Sequence, residues 1–143
     1  MRYHKIIPLK DGRTCTLRNG TAEDGQSLLA IFNLTHAQTD YLLTYPEEST
    51  HTAQEEAKFL KQKTESADEI ELLAEVDGAV VGSAGIGCVG RREKTRHRAR
   101  FGISVDKAYW GLGIGQVRTV SQRAPFRRVA EKGCIGGRKA IWI

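Results

Sequence analysis

Three glycines alternate with bulky apolar residues in the stretch YWGLGIG, residues 109–115. The stretch just before it, RFGISV at 100–105, has the pattern of a strand. Glycine permits positive φ and places no Cβ between the backbone and a ligand. A loop that leads from a strand into a helix also presents the free N–H groups of the first helical turn. The pattern therefore predicts a backbone site for a phosphate or diphosphate.

Two widespread phosphate-binding motifs do not fit this stretch. The dinucleotide motif G-x-G-x-x-G needs glycine at positions 111, 113 and 116, and the third position is Gln116. Residues 85–90 imitate the start of a P-loop, but Arg91 and Arg92 stand where Lys and Ser or Thr are required. A different phosphate site and a glycine-rich turn without a ligand remain as alternatives.

Periodicity predicts the elements that would position the loop. We expect a strand at 15–19, a helix over about 22–38 capped by Thr21, and a second helix over about 53–66 capped by Thr52. A period of two over 69–76 predicts a half-buried strand, and Asp77-Gly78 predicts a tight hairpin into the next strand. Glycines at positions 82, 85, 87 and 90 predict a bulge or a close approach there. A charged hairpin tip and a fourth strand, near 98–105, complete the order.

Length and composition exclude several classes of protein. A chain of 143 residues predicts one domain, 1–143. No apolar run approaches the roughly 18 residues of a membrane span, and no secretion signal is recognisable, so we expect a cytoplasmic protein without a membrane partner. Three cysteines and four histidines at irregular spacing predict no disulfide framework and no metal site.

The positive charge is concentrated in the tail. Residues 116–143 hold seven Lys/Arg and one Glu, whereas the whole chain has a net charge of +5. The high pI therefore says little about the body of the protein. The basic stretch RREKTRHRAR has one aromatic neighbour, Phe101, which we expect to face the core, so it lacks the exposed aromatic residues that stack on bases. Nucleic-acid binding is the least favoured function class.

From about residue 16 to 115 the chain resembles the GNAT superfamily of N-acetyltransferases. The resemblance rests on the order of strands and helices, the Asp-Gly hairpin, the stretch VVGSAGI and the stretch FGISVDKAYWGLGIG. In the family motif Q/R-x-x-G-x-G/A, Trp110 takes the Q/R place, and Gly113 and Gly115 take the glycine places. The implied fold is α/β (α+β), with a mixed, largely antiparallel sheet and flanking helices.

The resemblance implies acetyl-CoA (or coenzyme A) as the cofactor and assigns residues to it. Ile103 and Val105 would contact the pantetheine arm, and the loop would hold the diphosphate through Trp110, Gly111, Leu112, Gly113, Ile114, Gly115 and Gln116.

For the acceptor amine and the general base the resemblance gives only candidates. The acceptor would lie near Tyr41, Tyr45 and Glu47, although a solvated loop explains these residues equally well. Glu75 and His97 are the candidates for a general base, and a solvated strand face is the plainer reading of both.

The tail departs from the family pattern. Only 28 residues follow Gly115, Pro125 interrupts the expected helix, and no Tyr follows Tyr109 to protonate the departing thiolate. Either the gene is truncated or frame-shifted, or a short natural variant completes its sheet with a second copy as a homodimer. We therefore expect the C-terminal part of the fold to be incomplete or atypical.

Together these observations predict an N-acetyltransferase that moves the acetyl group of acetyl-CoA to a primary amine of a small molecule or protein. The alternative is a catalytically impaired module that binds coenzyme A on the same fold.

Overall fold

A computed structural model describes residues 2–39, 50–88, 99–115 and 141–142 of the chain. Neither of the two long helices in these residues is long and apolar enough to cross a membrane. The predicted hairpin tip at 90–96 and most of the tail lie outside the described residues.

The fold is built on one six-stranded sheet. Its strands follow one another in the order of the chain: β1 (His4–Pro8), β2 (Thr14–Asn19), β3 (Ile70–Val76), β4 (Ala79–Cys88), β5 (Ala99–Val105) and β6 (Ile141–Trp142). Neighbours are antiparallel from β1 to β5, and β6 pairs parallel to β5. This confirms the predicted largely antiparallel sheet; β1 and β6 were not predicted.

The hairpin between β3 and β4 forms at the predicted place. Asp77 and Gly78 have φ values of 51° and 79°, the conformation that a two-residue turn requires. The register then shifts, because Ala74 pairs with Gly82 while Glu75 pairs with Val80. Val81 is the extra residue of this bulge, and its side chain is buried.

Two helices, α1 (Gly25–Gln38) and α2 (Ala53–Glu65), cover one face of the sheet. The predicted cap Thr21 begins a short 3-10 helix over Ala22–Asp24, and α1 follows it with Asp24 as its N-cap. Thr52 caps α2 as predicted. Thr52 accepts a hydrogen bond from the Glu55 N–H, and the Glu55 side chain accepts one from the Thr52 N–H. The helices meet at Gly25, where a Cβ would lie 2.8 Å from the backbone nitrogen of Ala57.

The core lies on both faces of β3. Leu73 packs with Leu28, Ile31 and Leu60 of the helices, while a second cluster on the opposite face contains Cys15, Leu17, Ala74, Val76, Val81 and Ile114. The sequence predicted a half-buried strand, and this was wrong: six of the seven residues of β3 are buried. Glu71, expected to face solvent, is only 9% exposed.

Arg18 ties the start of the helical layer to the sheet. Its guanidinium donates to both oxygens of Asp24 at 2.7 and 2.8 Å and to Glu75 Oε2 at 3.0 Å. Asp24 also accepts hydrogen bonds from the N–H and hydroxyl of Thr21. The Arg18 hydrogen bonds, followed by those from Thr21, lower the pKa of Asp24 from 3.8 to about 2 against the opposing effect of burial.

We predict that Asp24→Asn lowers the free energy of unfolding by about 1–3 kcal/mol near pH 7, because a charged hydrogen-bonded partner of Arg18 is lost. The depressed folded-state pKa stabilises the protein above about pH 4, and this contribution disappears as the pH falls towards 2. Urea unfolding from pH 7 to 2 measures both effects. Glu23→Gln, at an exposed neighbour, should change neither. Equal acid sensitivity of the wild type and Asp24→Asn would contradict the assignment.

Candidate functional site

The glycine loop follows β5 after one tight turn. The Asp106 side chain accepts a hydrogen bond from the Ala108 N–H at 3.1 Å and starts a 3-10 helix over Lys107–Tyr109. The loop, residues 110–115, then turns into helical conformation at Ile114 and Gly115. The strand, glycine loop and helix start predicted from the sequence are therefore present in this order.

Two glycines of the loop have backbone conformations that other residues avoid. The φ values of Gly111 and Gly113 are 78° and 95°. Within the part of the chain that the structure describes, a Cβ at Gly111 or Gly115 would meet no atom within 4 Å, so the space beside both glycines is open. A ligand can therefore approach this backbone closely.

Three contacts hold the loop in place. The Ile114 side chain is 1% exposed and belongs to the core cluster on the sheet. The Leu112 carbonyl accepts a hydrogen bond from the Lys10 N–H at 3.2 Å. The Trp110 indole Nε1–H donates to the Val105 carbonyl at 2.8 Å, which fastens the loop to the end of β5. These contacts fix the loop against the core cluster, the β1–β2 turn and the end of β5.

The N–H groups of the loop suit a diphosphate. Among the described residues, no backbone hydrogen bond uses the N–H of Gly111, Leu112 or Gly113. Such groups at the start of a helix bind anions. Beside the loop glycines the nearest atom of the described residues is Lys10 Cε, which would lie 3.9 Å from a Cβ at Gly113, so the residues present leave room for the diphosphate of coenzyme A and fit it.

A cavity of about 380 Å³, here called the loop cavity, lies against this backbone. Its walls come from the end of α1 (Thr35, Gln38, Thr39), from β5 (103–105) and from the loop (109–111, 113–115). Gln38 fixes the α1 wall, because its Nε2 donates to Asp106 Oδ1 at 2.9 Å and its Oε1 accepts from the Lys107 N–H at 2.8 Å.

On one edge of β5, beside the loop cavity, no described strand pairs with residues 102–105. In the described residues β6 pairs only with Arg100 and Phe101, at the start of β5. Ile103 and Val105 line the loop cavity on the far half of the strand, and their other edge is occupied by β4. The half of β5 at 102–105 can therefore pair with an extended ligand as a strand would.

A second cavity, of about 1050 Å³, lies between the helices and the sheet and is here called the helix–sheet cavity. In the described chain it shares only Ile103 and Ser104 with the loop cavity. Its charged lining consists of Glu55, Glu56, Glu69, Glu71, Lys63 and Arg100, with His36 and His51 also present. With neutral histidines this lining has a net charge of −2, which favours a cationic ligand.

Sequence reasoning missed Glu71, Lys63 and Gln38. Lys63 Nζ donates to the Ile86 carbonyl at 3.0 Å and lies 3.9 Å from Glu71 Oε2. Both side chains are about nine-tenths buried. The sequence did contain a signal for Glu71. Its carboxylate lies on the same face of β3 as Leu73, and β4, the strand that pairs with β3, is rich in glycine.

The predicted site residues have different outcomes. The structure brings together Ile103, Val105 and the loop residues Trp110, Gly111, Gly113, Ile114 and Gly115 around one cavity, with Leu112 in the same loop pointing towards the core cluster. Glu75 is hydrogen-bonded to Arg18 and lines neither cavity. His97, Gln116, Tyr41, Tyr45 and Glu47 lie outside the described residues, so their roles stay predictions.

Comparison with known families decides the relationship. The sequence model of the acetyltransferase (GNAT) family matches residues 33–117, more than half of the chain. The chain belongs to the GNAT acetyltransferase family. This confirms the resemblance drawn from the sequence, and the cofactor of the family is the predicted acetyl-CoA. No curated protein matches the chain.

Solved structures show the same fold. A GNAT-family acetyltransferase from Streptococcus pneumoniae is 24% identical, with a TM-score of 0.73 over 85% of this chain and 70% of its own. A Salmonella typhimurium protein solved with its cofactor acetyl-CoA is 19% identical, with a TM-score of 0.69 over 81% of this chain and 65% of its own. The ribosomal-protein-alanine N-acetyltransferase of Brucella melitensis is 27% identical, with a TM-score of 0.63 over 79% of this chain and 68% of its own.

We predict that Gly113→Ala weakens coenzyme A binding at least about tenfold, because a Cβ in this left-handed conformation costs about 1–2 kcal/mol and reorients the loop amides. Gly12→Ala is the matched control, since Gly12 has a φ of 88° and open space around it in the β1–β2 turn. Both variants should lose similar thermal stability. Calorimetric titration with coenzyme A separates them, and equal affinity for both would contradict the loop's role.

Proposed function

We propose that this protein is an acetyl-CoA-dependent N-acetyltransferase that acts on a primary amine. The observation that carries the proposal is the position of the glycine loop: its backbone lines the loop cavity, and no backbone hydrogen bond among the described residues uses the N–H groups of residues 111–113. Membership of the GNAT family indicates the class of reaction. The geometry of the loop supports the proposal that this chain still carries out that reaction.

The residues of the loop cavity have separate tasks in the proposed reaction. The amides of 111–115 hold the diphosphate by charge-assisted hydrogen bonds. The open half of β5 aligns the pantetheine arm through its backbone, with Ile103 and Val105 against it. Acetyl-CoA supplies an activated acetyl group as a thioester. Gln38 keeps α1 against this strand and so preserves the width of the cleft.

The helix–sheet cavity is the proposed entrance for the acceptor. It meets the loop cavity at Ile103 and Ser104, so an acceptor there reaches the end of the arm. Its negative lining favours the ammonium form in which amines reach the enzyme at neutral pH. The name of the Brucella melitensis structure records transfer to an amine by a protein of this fold. Tyr41, Tyr45 and Glu47 remain predicted acceptor contacts.

Thermal denaturation with increasing coenzyme A and acetyl-CoA tests cofactor binding. A ligand that binds only the folded state at 100 times its dissociation constant adds about 2.7 kcal/mol of stability, so we expect a saturable rise in the melting temperature. Gly12→Ala should retain the rise and Gly113→Ala should lose most of it. No rise with either ligand would refute the proposed function.

Release of free thiol from acetyl-CoA in the presence of amines tests the transfer step. n-Butylamine, spermidine and a lysine-containing peptide provide three sizes of primary amine. Thiol release that depends on the amine, with the acetylated product detected by mass spectrometry, is the expected result. Saturable cofactor binding without product from any amine would favour the alternative, a coenzyme A-binding module without catalysis.

A further inference from the structure

A row of three residues runs straight across the sheet from β3 to β5. Glu71 pairs with Gly85, and Gly85 pairs with Gly102. Residues that pair directly across strands project from the same face of a sheet. This row therefore has a carboxylate at one end and no side chain over the next two strands. We call the surface over Gly85 and Gly102 the glycine trough.

The Glu71 carboxylate lies in the trough, over β4. A Cβ at Gly85 would overlap Glu71 Oε2 and lie 3.1 Å from Glu71 Cδ. The carboxylate is thus about one strand spacing, roughly 4.8 Å, from the line of β5. Over Gly102 a Cβ would meet no atom of the described residues within 4 Å, so these residues leave the space between the carboxylate and β5 open.

The trough leads towards the place where the two cavities join. Gly85, Gly102 and Glu71 line the helix–sheet cavity, and the residues after Gly102 are Ile103 and Ser104, which both cavities share. The Ser83 and Ser104 hydroxyls, 3.3 Å apart, border the trough on one side. An amine lying over Gly102 is therefore next to Glu71 and next to the open half of β5.

The other acids of the cavity are less well placed for this amine. Glu55 caps α2 through the Thr52 N–H, and Glu56 Oε1 lies 2.7 Å from His51 Nδ1. Among the described residues, two cations, Lys63 and Arg100, border the path at Glu69, which lies beside Gly87. Of these two, Lys63 alone lies beside Glu71, 3.9 Å from its Oε2. The Glu71 row is the one that ends in open space.

We propose that Glu71, at the end of the glycine trough, takes the proton that an unbranched primary alkylammonium acceptor must lose before acetyl transfer. This inference rests on the proposed function. The ammonium gives one proton to the Glu71 carboxylate, through a water molecule in the trough, and Glu71 passes it to solvent. The amine lone pair then forms the N–C bond to the acetyl carbon. The C–S bond breaks with its electron pair on sulfur, which takes the second proton of the amine and leaves as the thiol.

The floor and border of the trough favour one class of acceptor. The floor is the backbone of two glycines and the border is the Ser83 and Ser104 side chains, so we expect a straight methylene chain that ends in an ammonium group to fit better than one with a carbon branch beside the nitrogen. n-Butylamine should therefore have a higher kcat/KM than sec-butylamine, which has the same composition and a branched α-carbon.

Glu71→Gln tests the role of the carboxylate with n-butylamine as acceptor. We expect kcat/KM to fall about 100-fold or more, the range for loss of a general base. The pH profile should also change: the variant can use only amine that is already neutral, so its activity should keep rising towards the amine's own pKa of about 10.4. Glu65→Gln, at an exposed position at the end of α2, is the matched control and should keep the wild-type profile.

A second pair of variants separates catalysis from folding. Glu71→Gln removes the carboxylate that lies 3.9 Å from Lys63 Nζ, so Glu71→Gln/Lys63→Gln removes both charges of this pair and should recover any lost stability without recovering activity. Gly102→Ala should leave the melting temperature unchanged and raise the KM for n-butylamine several-fold. Recovery of the wild-type pH profile in the double variant would overturn the proposal.

An amide NMR titration with n-butylammonium gives a readout that needs no turnover. The Gly85 and Gly102 amide signals should shift in the wild type and shift less in Glu71→Gln. Absence of any shift, or a wild-type protein that binds acetyl-CoA and acetylates none of the amines, would overturn this inference. Failure to bind acetyl-CoA would instead contradict the proposed function, so failure of the proposed function can be distinguished from failure of the role of Glu71.

Discussion

The antiparallel register of β3, β4 and β5 is the constraint on which both cavities depend. It pairs Glu71 with Gly85 and Gly85 with Gly102. It also pairs Val105, the last residue of β5, with Gly82. A slip of one residue would turn every side chain of β5 to the other face of the sheet. The carboxylate, the trough and the strand edge would then no longer share one surface.

A few long-range contacts fix the position of the loop relative to these strands. Ile114 is seated in the core beside Val81, the extra residue of the β4 bulge, and the Trp110 indole is bonded to the last carbonyl of β5. Family members commonly have Gln or Arg where this chain has Trp110. Here an aromatic donor makes a backbone contact. In the proposed function the diphosphate is held by backbone amides, which do not depend on side-chain identity.

Local chemistry made much of the fold predictable. The cap residue Thr52 placed the start of α2, and Asp77-Gly78 placed the hairpin, because each depends only on its immediate neighbours. The glycine positions of the loop were predictable for the same reason, since a positive φ at Gly111 and Gly113 is a local requirement of the backbone. Glycines in β4 correctly indicated a close approach, which proved to be the side chain of Glu71 at Gly85.

The missed features all depend on contacts between distant parts of the chain. Glu71 looked solvent-exposed because its strand alternates, and only the helices packed over Leu73 bury that face. Gln38 looked like the last residue of a polar helix end, yet it bonds to residues 68 and 69 positions further along. The strand β1 contributes a single buried side chain, Ile7, within its own bounds, so its sequence carries almost no periodic signal.

The contact between α1 and α2 at Gly25 limits how the helix–sheet cavity can change shape. The carbonyl of Ala53 and the nitrogen of Ala57 lie directly against the glycine, so the two backbones touch there. We therefore expect the helices to shift together, because neither can tilt away alone without breaking this contact. Changes in what the helix–sheet cavity admits would then come from exchanging side chains on α2 that line it, such as Phe59 or Gln62, over an unchanged backbone.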